Sequence, residues 1–134
     1  MNIQLPEGGP ILGLGCDIVE VHRIKSAHKR SQEHFLDRIF TEEERVYCLQ
    51  NRNPYPALAA RFAAKEAVAK AFTTGIGDLL EFKSISIYKG ESNQPLVRLD
   101  SKGQALLQQV GGRRVWITLS HTTTLAQAVA IITA

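Results

Sequence analysis

The chain has 134 residues, 44% apolar and 22% charged, which is enough for one hydrophobic core and too little for two. A net charge of +3 is mildly basic and falls short of a dedicated nucleic-acid binder. No stretch approaches the roughly 20 apolar residues of a membrane span, and Met1-Asn2-Ile3-Gln4-Leu5-Pro6-Glu7 has no basic segment followed by an apolar run, so no export signal is expected and the cytoplasm is the default compartment.

In chain order, residues 1–10 read as a mobile lead-in ending in Gly8-Gly9-Pro10, and residues 11–134 as a single domain. Ile11 to Val19 predicts a buried strand, whose Gly13 and Gly15 suggest close backbone approach or a bulge. A helix is expected from Val21 to about Lys29 and a second, short one through Ser31 to Ile39. The stretch His22 to Arg30 holds four Lys/Arg and no acid. It reads either as a solvated helix face or as a patch that steers an acidic partner. Thr41-Glu42-Glu43-Glu44 is a capping-box pattern, with its acids at the positive end of the helix dipole. That helix should run to about Gln50, and Asn51 to Pro56 should turn.

The longest helix is expected from Ala57 to Phe72, where alanine favours helix, with glycines at Gly75 and Gly77 stopping it. Phe82 to Tyr88 alternates as a strand. Pro95 to Leu99 is another strand, Ser101 to Val110 a short helix, and Arg114 to Ser120 and Ala126 to Ile132 the last two strands. A strand, several helices and then a strand-rich half make an α+β domain. Cys16 and Cys48 read as reduced thiols, since neither has a second cysteine at metal-ligand spacing.

Three places fit poorly with a purely structural role. Asp17 ends an apolar strand, where a lone carboxylate is costly. It is either the N-cap of the next helix or a ligand for a hard cation. Lys65 falls in the middle of the apolar stripe formed by Leu58, Phe62, Ala69 and Phe72. A lysine there must snorkel, pair or meet an anion. Glu66 and Lys70, one turn apart, form either an intrahelical pair or part of a site that Arg61 extends. His121 follows Ser120 at the end of a strand, as a turn residue or as part of a donor-rich corner. Together these residues suggest a hard cation on Asp17 and Glu66, with lysine, arginine and histidine gathered for phosphate. No phosphate-binding glycine loop or dinucleotide fingerprint is present.

Three segments then resemble a known family. Gly15-Cys16-Asp17-Ile18-Val19-Glu20-Val21-His22-Arg23-Ile24 resembles the opening motif of the holo-acyl-carrier-protein synthases. Arg61-Phe62-Ala63-Ala64-Lys65-Glu66-Ala67-Val68-Ala69-Lys70-Ala71-Phe72, followed by Thr74-Gly75-Ile76-Gly77, is similar to their central helix, and Leu119-Ser120-His121-Thr122 to their last motif. The resemblance implies a 4′-phosphopantetheinyl transferase fold, an antiparallel sheet packed against a long central helix, assembled as a homotrimer. It implies a magnesium ion on Asp17 and Glu66, and coenzyme A as substrate along Arg61, Lys65, Lys70, Gly75, Pro95 and His121. It also implies Glu66, Lys70 and His121 as the catalytic groups, and an apo-acyl carrier protein docked on Arg23, Lys25 and Arg30. The reaction would move 4′-phosphopantetheine from coenzyme A to a carrier serine, releasing adenosine 3′,5′-bisphosphate in support of fatty acid biosynthesis. Glu66 acting through a water at the metal is the first candidate for the base and His121 the second. A module that grips coenzyme A or a nucleotide without chemistry, or an inactive trimeric scaffold, is the alternative. Neither a nucleic acid nor a membrane is expected as a partner.

Overall fold

In the computed structural model, which describes residues 9–134, the first strand, β1 (Ile11–Glu20), alternates. Gly13, Gly15, Asp17 and Val19 turn to one side and Leu12, Leu14, Cys16 and Ile18 to the other. Residues 1–8 of the expected lead-in lie outside the described residues, while Gly9 and Pro10 form backbone hydrogen bonds with Ala134. The chain continues through α1 (Val21–Ser31), α2 (Glu33–Ile39), α3 (Glu42–Leu49) and α4 (Tyr55–Ala71). It then forms the strands β2 (Ile85–Lys89) and β3 (Pro95–Leu99), the helix α5 (Ser101–Gln109), and the strands β4 (Arg114–His121) and β5 (Leu125–Thr133).

The sheets are antiparallel throughout. β5 lies between β1 and β4, while β2 and β3 pair separately. The helix α4 packs on β1 and β5, and the two glycines explain how closely. A Cβ on Gly15 would lie 2.0 Å from the Ala67 carbonyl oxygen, and one on Gly13 2.1 Å from that of Ala71. Two strand residues and four helix residues advance similar distances, about 6–7 Å, so the glycines sit in step with Ala71 and Ala67. Backbone cannot swing aside as a side chain can. Gly15→Ala is therefore expected to cost about 1–3 kcal/mol in urea unfolding; a variant as stable as the parent would contradict this contact.

One core cluster lies between α4, the three-stranded sheet and β2, and includes Ala67, Val68, Leu80, Ile85 and Ile132. A second lies under α1–α3 around Ile24, Leu36, Phe40, Cys48 and Leu58. Cys16 is exposed and Cys48 buried, both as free thiols. Burial pushes the Cys48 thiol up to about 11, which leaves it protonated and unreactive near neutral pH.

The strand β1, expected to be buried, is buried only at Gly15, because one face of its sheet is uncovered. β4 runs one residue further than expected, to His121, and two other boundaries also differ from the sequence reading. α4 begins at Tyr55 with Pro56 inside its first turn, where a missing N–H costs nothing. The expected strand from Phe82 to Tyr88 instead opens with a 3₁₀ turn at Phe82–Ser84, and the strand proper starts at Ile85. One cause is local and one is not: Ser84 Oγ accepts from the Glu81 N–H, and the Lys65 ammonium, from α4, donates to the carbonyls of Phe82 and Ile85. No helix of the described residues is long and apolar enough to cross a membrane.

Candidate active site

Asp17 projects from β1 on the same side as the two glycines, beside α4. It is not a helix cap. Glu20 holds the N-cap position of α1 and makes no side-chain capping bond. Half-buried, Asp17 instead takes the Lys70 ammonium, whose Nζ lies 3.0 Å from its Oδ1 and also donates to the Cys16 carbonyl. Lys70 therefore reaches across to the strand rather than along its own helix to Glu66. Its ammonium is held above the usual lysine range, first by the hydrogen bond it donates to Asp17 and then by the charge of the same carboxylate.

Glu66 sits one turn before Lys70 on α4. Burial holds its carboxyl above the usual carboxylate range, the negative charge of Asp17 adds to the shift, and Lys70 opposes it. The two carboxylates thus feel each other across the helix–strand contact, and a cation, Lys70, already lies on one of them. Two oxygen-donor acids, one of which already draws a cation, suit a hard divalent ion that keeps open positions for phosphate and water. The residues present therefore fit magnesium.

Lys65 stands elsewhere. It was expected among the phosphate ligands, and the structure corrects this, because its side chain is 0% exposed and its Nζ lies 2.7 Å from Glu44 Oε1. All three ammonium donors are used, on Glu44, Phe82 and Ile85. Burial pulls the Lys65 ammonium below its usual range, and the Glu44 charge opposes that shift. The anion that Lys65 required belongs to the protein.

Arg61 and His121 meet at a third place. With Pro95 they line a groove of about 270 Å³, to which Tyr47, Lys89 and Asn93 also contribute. The buried Arg61 guanidinium stacks on the Tyr47 ring at 4.3 Å, and Lys89 lies over the same ring at 5.5 Å. Arg61 Nε has no hydrogen-bond partner among the described residues. An unused buried donor beside aromatic rings offers a place for a phosphate. Asp17, Glu66 and Lys70 are not among the residues lining this groove. Gly75 is in neither group: it follows α4 with φ +65° and caps the helix through its N–H to the Ala69 carbonyl. Arg23, Lys25 and Arg30 are all exposed on α1, and none forms an ion pair among the described residues.

The reading of single residues missed the roles of Glu44, Tyr47, Lys89 and Asn93. Glu44 was visible only as half of a capping box. That box is present, yet the same carboxylate also pairs with Lys65. Nothing near Tyr47 or Lys89 in sequence signals that they converge with Arg61.

A long buried helix on an antiparallel sheet, with two apposed acids and separate groups of cations, describes a domain suited to handling phosphate. The family model described as the 4′-phosphopantetheinyl transferase superfamily matches residues 13–127, and the chain belongs to that superfamily. It is 50% identical over 121 residues to the holo-[acyl-carrier-protein] synthase of Chlamydia trachomatis serovar L2, covering 90% of this chain and 98% of the relative. With the synthase of Chlamydia caviae it shares 45% over 118 residues, 88% of this chain and 93% of the relative. Among solved structures it is similar to the Neisseria meningitidis synthase, with 34% identity, TM-score 0.86, and 92% and 98% of the two chains covered. The Helicobacter pylori synthase in complex with coenzyme A matches with 33% identity, TM-score 0.79, and coverage of 89% and 98%.

Proposed function

We propose that Asp17 and Glu66 together hold a magnesium ion for the reaction this enzyme carries out, transfer of 4′-phosphopantetheine from coenzyme A to a serine of an apo-acyl carrier protein. One observation carries the proposal: the Glu66 carboxyl is held protonation-prone by burial and by Asp17, while a cation already lies on Asp17. Burial and the charge of Asp17 both oppose the charged form of Glu66, and a bound cation would offset both. When bound, magnesium would neutralise the diphosphate and the charge that develops on it.

The chain's own groups do the rest. Lys70, poised on Asp17, stabilises the phosphoryl oxygens as charge builds. Glu66, acting through an intervening water, takes the proton from the attacking serine. The serine oxygen bonds to the phosphorus that carries pantetheine, and adenosine 3′,5′-bisphosphate leaves. Arg61, with its unused Nε, and His121 hold the nucleotide phosphates along the groove that Pro95 borders. This placement favours Glu66 over His121 as the base within one protomer. Gly75 shapes the end of α4 beside the pantetheine path. The exposed cations Arg23, Lys25 and Arg30 receive the acidic carrier. The setting is fatty acid biosynthesis in the cytoplasm.

Incubating the chain with coenzyme A, magnesium and apo-carrier protein tests the reaction. The carrier should gain the mass of one phosphopantetheine group, and the gain should vanish with chelator. A stable complex without mass gain would instead indicate a binding module.

The chain works as a homotrimer. Support comes from the outer face of the three-stranded sheet, where Leu12, Leu14, Ile18 and Leu125 are all exposed. A contiguous apolar face of this kind marks an association surface. Sedimentation should give three times the chain mass, and Ile18→Lys should lower it. A fully active monomer would contradict the assembly.

A further inference from the structure

The buried ion pair between α3 and α4 does more than fill the core. Glu44 and Lys65 are both 0% exposed, and their heads lie 2.7 Å apart. Glu44 Oε1 also accepts the Thr41 N–H at 2.9 Å, and its Oε2 accepts the Ile87 N–H at 2.8 Å. Lys65 donates to the carbonyls of Phe82 and Ile85. One satisfied network therefore ties four things together: the start of α3, the middle of α4, the 3₁₀ turn and β2.

Lys65 is the residue directly before Glu66, so on α4 their side chains point about 100° apart. The opposite constraint comes from β1, where Gly13 and Gly15 lie against the carbonyls of Ala71 and Ala67. α4 is thereby held from both sides, and neither its rotation nor its height over the strand is free. Those are the two coordinates that decide whether Glu66 faces Asp17. Two apolar side chains of the same volume would serve stability as well as a buried ion pair, or better. Directional bonds to four carbonyl or N–H groups fix a register, which an apolar contact does not. A direct role for Lys65 on a phosphate is ruled out by geometry, because it has no free donor and no exposed atom.

We infer that Glu44, acting through Lys65, is a positioning residue for the Glu66 carboxylate, and so for the divalent ion that Glu66 shares with Asp17. The inference rests on the metal role proposed above for those two acids. Outer partners that orient a ligand typically change metal affinity by about 10–100-fold when altered. The same range is expected here, although neither Glu44 nor Lys65 touches the ion.

The test uses the full chain and Mn²⁺ as the probe, with free Mn²⁺ read by electron paramagnetic resonance in the absence of coenzyme A. Glu44→Asp keeps the charge and the pair but shortens the reach. The double variant Glu44→Gln with Lys65→Met removes both charges at nearly constant volume. Circular dichroism at the assay temperature establishes that each is folded, and should the double variant fail to fold, Glu44→Asp carries the test. The expected result is a Mn²⁺ dissociation constant raised about 10–100-fold, with kcat lowered, KM for coenzyme A unchanged, and part of the rate restored by excess Mn²⁺. Parent-like Mn²⁺ binding in the folded variant would overturn the inference. Asp17→Asn and Glu66→Gln are the controls. If they too bind Mn²⁺ as the parent does, the metal role itself fails; if they lose it while Glu44→Asp does not, only the positioning role fails.

Discussion

Glu66→Gln should lower the transfer rate by about 10²–10³-fold while leaving the protein at least as stable as the parent. The two halves of this expectation share one cause. Burial and the neighbouring charge of Asp17 raise the Glu66 carboxyl above its usual range. A raised carboxyl contributes stability only at acidic pH, and that contribution is lost as pH rises through the folded-state value. At neutral pH the ionised Glu66 therefore costs stability, and an isosteric amide relieves the cost. The difference in stability between Gln and Glu should grow from acid to neutral pH and then level off. Thermal melts and single-turnover transfer across that range check both parts. A glutamine variant that melts lower and transfers normally would assign Glu66 to the scaffold.

The second large effect falls on stability. Lys65→Met should destabilise the chain by about 3–5 kcal/mol, a sizeable share of the roughly 5–15 kcal/mol available to a small domain. The loss arises from what remains. Glu44 would keep its charge at 0% exposure with only the Thr41 and Ile87 N–H groups for company, and the Phe82 and Ile85 carbonyls would lose their donor. Urea unfolding measures the loss directly. A change under about 1 kcal/mol, the scale of an exposed pair, would mean that water reaches this site.

Much of the fold was legible because its signals are local. The Thr41 capping box set the start of α3, the alanine run defined α4, and the leading Pro95 set β3. Gly13 and Gly15 announced a close approach without saying to what; the partner, α4, lies far along the chain. Asp17 was ambiguous for a similar reason, since a carboxylate shortly before a helix looks like a cap until Glu20 is seen in that place. Lys65 marks the clearest limit. Its position in an apolar stripe showed that it needed an anion, but three consecutive glutamates begin α3, and only packing selects Glu44. The same pair then bends Phe82–Ser84 out of the strand that alternation had suggested. The groove of Arg61 and His121 gains Tyr47 and Lys89 from elements whose convergence has no local sign.

Crystals of the chain with Mn²⁺ and coenzyme A, measured at the manganese absorption edge, put the shared-ion geometry to its most direct trial. One anomalous peak should lie within coordination distance of a carboxylate oxygen from position 17, another from position 66, and an oxygen of the bound diphosphate. A peak that touches neither acid, or a diphosphate seated away from both of them, would contradict it.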